Sequence, residues 1–455
     1  MDPLPSLSHA LKNLLKGNKR ARLQKNLLNA LPFWAGAFVT GLVSVLYARL
    51  FSWAETGSFL VYQHSRWLML GLSPLCFLLA WWLVKRFAPM AKGSGIPQVS
   101  AAIELASPRH NYKVNRLLSL PVILIKILSS LTMIFGGGIT GREGPTIQIS
   151  ASIFKKINDL LPAWYPKISK RNMIVTGAAA GLASAFNTPL GGIVFAIEEL
   201  TKTHISFFKS ALLTGVIIAG LTTLNILGPY LYLGYPSVDS ISLWIITLIV
   251  PVALITGFAG SGLGYIIIRL LKKLKGPGGA IPAWLIALLC GALIAALAVF
   301  ANRDVMGSGR DTMLRILFTG NKQVAWYLPP LRIFGSIISY ISGGAGGIFA
   351  PALSAGATIG AVISGWFHLS APATNLIILC GMTGFLTGIT RSPFTSSILV
   401  IEMTNDHNII FFLMLAALLA NLTAQVVTKH SFYDYLKDQF IQEIHQTETQ
   451  EPAVP

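Results

Sequence analysis

Apolar runs of about 18 to 20 residues recur from Leu31 to Thr428, separated by short polar stretches. "LPFWAGAFVTGLVSVLYARL" (31–50), "LWIITLIVPVALITGFAGSGLGYIII" (243–268) and "NIIFFLMLAALLANLTAQVV" (408–427) are examples. Each is long enough to cross the hydrocarbon core of a bilayer as a helix, so the pattern predicts an all-α polytopic membrane protein. Several runs are interrupted by short proline-bearing stretches, four of the five with glycine: "GSGIPQV" (93–99), "GREGPTI" (141–147), "FNTPLGG" (186–192), "GGIFAPAL" (346–353) and "TRSPFTS" (390–396). Proline suits the first turn of a helix, where its missing N–H costs nothing. Each stretch therefore predicts a helix N-terminus, several of them inside the membrane. Irregular backbone at that depth is tolerated only where it is buried in protein or lines a wet cavity.

Composition agrees with this reading. Of 455 residues, 53% are hydrophobic and 11% charged, against about 25% charged in soluble domains. A net charge of +18 can mark a nucleic-acid binder, but its placement points elsewhere. Lys12, Lys16, Lys19, Arg20, Arg22 and Lys25 precede the first run, and basic clusters at Arg109–Arg116, Lys155–Arg171 and Arg269–Lys275 lie between runs. This is the positive-inside pattern, which predicts cytoplasmic N- and C-termini and no nucleic-acid partner. "GPYLYLGYPSVDS" (228–240) has no Lys or Arg and is expected outside. Residues 1–31 lack the apolar region of a signal peptide and are expected to form a basic amphipathic surface helix. Cys76, Cys290 and Cys380 lie in apolar runs as free thiols. The eight histidines show no ligand spacing, so neither a metal nor a cofactor is expected.

The chain also resembles itself. "GAAAGLASAFNTPLGGIVFAIEEL" (177–200) aligns with "GMTGFLTGITRSPFTSSILVIEMT" (381–404), and "GGITGREGPTIQISASI" (137–153) with "GGAGGIFAPALSAGATI" (343–359). "GSG" at 93–95 is echoed at 307–309. Two membrane halves follow, 32–228 and 229–428, flanked by segments 1–31 and 429–455. Paired interrupted segments in two halves point to a transport site where the halves meet. Converging helix N-termini carry unpaired N–H groups and partial positive charge, which suits an anion. Partial charges also hold it loosely enough to leave. In the alignment Glu198 faces Glu402, which suggests a structural role closing a helix end. Glu143 faces Phe349 and Glu199 faces Met403, so these two carboxylates belong to one half only and are functional candidates.

"GSGIP" (93–97), "GREGP" (141–145), "GGIFAP" (346–351) and the aromatic "SFYDY" (431–435) after the last run resemble the CLC family of chloride channels and chloride–proton antiporters, over about residues 32–437. The resemblance implies an inverted-repeat fold of tilted, interrupted helices, in a homodimer with one pore per subunit, multi-pass in the inner (plasma) membrane. It implies a secondary active transporter that exchanges chloride for protons across the bilayer. Ser94 would supply a hydroxyl to chloride, Ile348 and Phe349 backbone N–H groups, and Tyr433 a phenol. Tyr433 is taken over Tyr435 because it fills the third place of the "SFYDY" motif. Glu143 would be the gating glutamate and Glu199 the inner proton acceptor.

Two departures stand out. Gln98 and Ser100 replace acidic residues found in the best-known bacterial exchangers, which leaves Arg142 without that salt-bridge partner. The tail after Tyr433 is too short for paired regulatory domains, which favours the prokaryotic form. A passive CLC chloride channel would share Glu143, but Glu199 favours exchange. A fluoride–proton exchanger would replace Ser94 and alter Pro145, and a nitrate-selective relative would carry proline at 94. No enzyme is expected: Lys92 stands where a nucleophile motif around Ser94 needs glycine, and no HExxH occurs.

Overall fold

The computed structural model describes residues 18–106, 111–201, 209–228, 231–238, 243–275, 281–404 and 406–450. Its first nine helices are α1 (Asn18–His64), α2 (Met69–Phe87), α3 (Ile96–Leu105), α4 (Asn111–Leu117), α5 (Leu120–Phe135), α6 (Glu143–Leu160), α7 (Lys170–Phe186), α8 (Pro189–Phe195) and α9 (Lys209–Leu227). Nine more follow: α10 (Ile246–Lys275), α11 (Ala283–Phe300), α12 (Arg310–Phe318), α13 (Leu328–Ile341), α14 (Phe349–Trp366), α15 (Ala371–Thr390), α16 (Pro393–Thr404), α17 (Ile410–Val427) and α18 (Phe432–Gln450). Among the described residues nine helical segments are long and apolar enough to cross a membrane, and β structure is limited to two isolated bridges. The fold is the all-α, interrupted-helix architecture that the sequence predicts.

All five proline-bearing stretches are helix starts. Pro97, Pro145, Pro189, Pro351 and Pro393 stand in the first turns of α3, α6, α8, α14 and α16. Proline inside a helix behaves differently at position 32. Helix α1 continues through Pro32. Proline cannot donate to the carbonyl four residues back. That carbonyl, on Leu28, accepts instead from the Tyr165 hydroxyl, so the helix passes the proline with its backbone satisfied. The expected surface helix within residues 1–31 lies outside the described residues up to position 17.

Repeat-equivalent positions have equivalent structure. Gly141 and Gly347 pair antiparallel and exchange two backbone hydrogen bonds of 2.8 and 2.7 Å, which puts a local two-fold axis between them. Asn187 and Arg391, which end α7 and α15, are both left-handed, with φ of 59° and 63°. Lys126 of α5 and Arg332 of α13 are both fully buried. Lys126 Nζ donates to the carbonyls of Ala91 and Gly93, each at 2.8 Å. Arg332 donates to those of Asp304 at 2.6 Å and Gly307 at 3.3 Å. Each buried basic side chain thus fixes the irregular segment that enters one of the two "GSG" sequences. Around the axis, α7, α14 and α15 are almost wholly buried, so the helix starts between them sit deep in protein.

Candidate functional site

Three of these starts meet at one place. Gly93 pairs with Ala345, and Gly141 with Gly347, so the segments before α3, α6 and α14 are stitched together by backbone hydrogen bonds. At the N-terminus of α14, the amides of Ile348, Phe349 and Ala350 have no partner within their own helix. Gly144, beside Glu143, allows a close approach: a methyl built there would lie 2.3 Å from Ser94 Oγ and 3.3 Å from Gly347 Cα. Gln98 is not a substitute ion-pair partner. It is fully buried, and its Nε2 donates to the carbonyls of Lys92 at 2.7 Å and Met90 at 3.1 Å, bracing the loop before Ser94.

Ser94 and Tyr433 come together. Both are buried, and their hydroxyls face one another, yet neither has a hydrogen-bond partner among the described residues. Buried polar groups are normally paired, and two facing hydroxyls can each donate to one acceptor placed between them. The Tyr433 ring stacks on Phe349, with centroids 6.3 Å apart and planes at 16°. Helix α18, which carries Tyr433, is tied to α3 by Lys437–Glu104 at 2.9 Å and to the preceding loop by Lys92–Glu443 at 2.6 Å. Burial lowers the affinity of the Lys437 amine for its proton, but the Glu104, Asp438 and Asp434 carboxylates together more than offset this and hold its pKa above the usual lysine value. Tyr435 faces elsewhere: its hydroxyl accepts from Gln439 Nε2 at 3.1 Å, and Lys272 lies over its ring at 4.7 Å. A cavity of about 390 Å³ adjoins this side, lined by Gly93, Tyr340, Leu436 and Phe440.

Glu143 opens α6 and is 1% exposed. Its Oε1 accepts from the Tyr232 hydroxyl at 3.4 Å, and its carboxylate lies against the backbone N–H of Ala350 in the first turn of α14. Oε2 has no hydrogen-bond partner among the described residues. A cavity of about 280 Å³ reaches this carboxylate, lined also by Arg142, Tyr232, Arg310 and Glu55. Arg142 donates to the Ala185 carbonyl at 3.4 Å and faces Glu143 electrostatically. The arrangement holds one carboxyl side chain against a helix N-terminus, close to the Ser94 and Tyr433 hydroxyls and to the first-turn amides of α14.

Glu199 lies apart from this cluster, in a π-helical turn spanning Ala196–Thr201 after α8. It is buried, and its Oε2 accepts from the Ser392 hydroxyl at 2.7 Å. Tyr433 lies within electrostatic range of both Glu143 and Glu199. Lys202 and His204, which follow Glu199, lie outside the described residues. Glu198 has a different task. Its carboxylate accepts from the backbone of Phe394 at 3.2 Å and Thr395 at 2.7 Å, closing the start of α16. Its repeat equivalent Glu402 accepts from Leu190 at 3.0 Å and Gly191 at 2.6 Å, closing the start of α8. Each carboxylate caps the other's helix across the two-fold axis.

Tyr232, Ser392 and Lys126 were not among the residues selected from the sequence. Lys126 had a readable signal, a lone cation inside the apolar run "LPVILIKILSSL" (120–131). Tyr232 and Ser392 had none, because both reach the site through contacts distant in the chain.

A family model described as voltage gated chloride channel matches residues 76–425. The H(+)/Cl(-) exchange transporter ClcA of Citrobacter koseri is 30% identical over 420 residues, covering 87% of this chain and 85% of the relative. The ClcA of Salmonella arizonae matches to the same extent. A crystal structure of a slow cyanobacterial Cl-/H+ antiporter superposes with a TM-score of 0.77 at 25% identity, covering 91% of this chain and 98% of that one. A CLC-type fluoride/proton antiporter superposes at 0.73 with 18% identity, covering 90% and 97%, and shares the fold.

Proposed function

The chain belongs to the voltage-gated chloride channel family, and we propose that within it this protein is a secondary active transporter that exchanges chloride for protons, with Glu143 as its gate. The observation that carries the proposal is the position of Glu143: an anionic side chain at the N-terminus of α14, beside the unpaired Ser94 and Tyr433 hydroxyls. Chloride would take its donors from Ser94, Tyr433 and the amides of Ile348 and Phe349. An ionised Glu143 competes with it as a tethered anion. Two unit charges about 4 Å apart at an effective dielectric near 20 repel by roughly 4 kcal/mol, close to a thousandfold in occupancy. Protonation removes that penalty, and the neutral side chain moves into the cavity in front of it, open to the outside. The same group therefore gates chloride and carries a proton.

A proton must also reach the other side. Glu199 serves there, off the chloride route and held by Ser392, with Tyr433 between the two carboxylates. The two repeat halves, 32–228 and 229–428, meet at the site. The protein acts as a homodimer with one pore per subunit in the inner (plasma) membrane, both termini cytoplasmic. Liposomes containing the purified protein test the reading: a chloride gradient drives protons uphill through an exchanger, and chloride flux with no proton movement would make it a channel.

A further inference from the structure

Glu55 of α1 lines the same cavity as Glu143 and is also lodged at a helix start of the second half. The segment 307–309, repeat echo of 93–95, leads into α12. Gly307 and Gly309 are left-handed, with φ of 71° and 87°, and the amide between them, that of Ser308, donates to Glu55 Oε1 at 2.7 Å. A methyl on Gly307 would stand 2.6 Å from that oxygen, so the glycine is what admits the carboxylate. The two echoes thus differ in content. At one, Ser94 presents an unpaired hydroxyl. At the other, a carboxylate already occupies the amide.

The charged groups around the cavity come from every element that packs on it. Helix α1 contributes Arg49 and Glu55, the start of α6 contributes Arg142 and Glu143, and the α12 region contributes Arg310 and Asp311. Tyr232 stands beneath Arg310, whose guanidinium lies 5.3 Å from its ring centroid. Arg303 packs on Phe59 of α1 at 4.4 Å and pairs with Asp311 at 3.9 Å. Arg332, from α13, lies within electrostatic range of Glu55 and of Asp304. Arg142 is within range of both Glu55 and Glu143. Of the groups lining the cavity, three arginines face three carboxylates, so the charges cancel when all are ionised. Each proton taken up leaves one positive charge for an anion to balance.

We propose that Glu55 is a second gating carboxylate of the transport path. Ionised, it occupies the Ser308 amide and repels an anion in the cavity. Protonated from the outside solution, it yields the Ser308 amide to an entering chloride, and it returns the proton to water as the anion moves on. The proposal rests on Glu143 being the inner gate of the same path, and one series of variants separates the two claims.

Downhill chloride efflux from liposomes is measured between about pH 4 and 8, a range spanning ordinary and buried carboxylates. Glu143→Gln is expected to lose proton coupling yet keep a rise in efflux on the order of tenfold as pH falls, the effect of a unit charge roughly 10 Å away at a dielectric near 20. Adding Glu55→Gln, which keeps an acceptor for Ser308, is expected to flatten the profile at its fast, acidic level. Adding Glu55→Asp, whose carboxylate is one methylene short of Ser308, is expected to keep the step and move its midpoint. A flat profile in Glu143→Gln alone, a step that survives Glu55→Gln, or an unmoved midpoint in Glu55→Asp overturns the role of Glu55. Proton coupling that persists in Glu143→Gln instead overturns the gate on which the proposal rests.

Discussion

Gly144→Ala tests whether the close approach of α6 to Ser94 builds the anion site. The added methyl would lie 2.3 Å from Ser94 Oγ and 2.9 Å from the Ser94 carbonyl oxygen. Backbone strain is not the issue, because Gly144 is helical and lies outside the positive-φ residues, and alanine favours a helix by roughly 1 kcal/mol over glycine. The penalty is steric: overpacking of this kind costs about 1–3 kcal/mol, and in the proposed site a displaced Ser94 hydroxyl would also lose its hydrogen bond to the anion, worth about 1.5–3 kcal/mol for a charged partner. Chloride affinity should therefore fall by about 10- to 100-fold, at 1.4 kcal/mol per decade. Calorimetric titration of chloride into the purified variant measures this. The double variant Ser94→Ala/Gly144→Ala removes the nearer of the two clashing oxygens, so it should recover part of the lost thermal stability without recovering affinity. Wild-type chloride affinity in Gly144→Ala would refute the placement of the site.

Three further outcomes are expected. Ser94→Pro removes a hydroxyl and reshapes the start of α3, and should raise nitrate transport relative to chloride in liposomes; an unchanged preference would remove Ser94 from the selectivity determinants. Glu199→Gln should abolish chloride-driven proton uptake while chloride still moves, and normal coupling in this variant would make a passive channel the better account. Glu198→Ala should keep coupling but destabilise the protein by about 0.5–2 kcal/mol, because it strips the cap from the start of α16; thermal unfolding in detergent reads this, and an unchanged midpoint would contradict the capping role.

What the sequence could reveal was set by how local each signal is. The five helix starts were readable because proline acts on its own turn, and the Glu198/Glu402 pairing was readable because the repeat aligned the two. The continuation of α1 through Pro32 was not, since the donor that rescues the Leu28 carbonyl is Tyr165, far along the chain. The same holds for Tyr232, whose segment is fixed when the Leu233 amide donates to the Met403 carbonyl at 3.1 Å. Glu55 carried an ambiguous signal: an acid near the end of an apolar run reads as a solvated helix end until the Ser308 amide is seen to face it. Gln98 looked like a missing charge, and the fold gives it a different task, bracing the loop before Ser94.

The central claim is that one carboxylate, Glu143, both gates chloride and carries the proton. Its most direct test records chloride and proton movement together in liposomes containing purified Glu143→Gln, with chloride supplied as a gradient. The side chain keeps its shape but can neither ionise nor release a proton. Chloride is predicted to run downhill with no accompanying proton uptake. Protons still driven against their gradient by chloride in this variant would contradict the account.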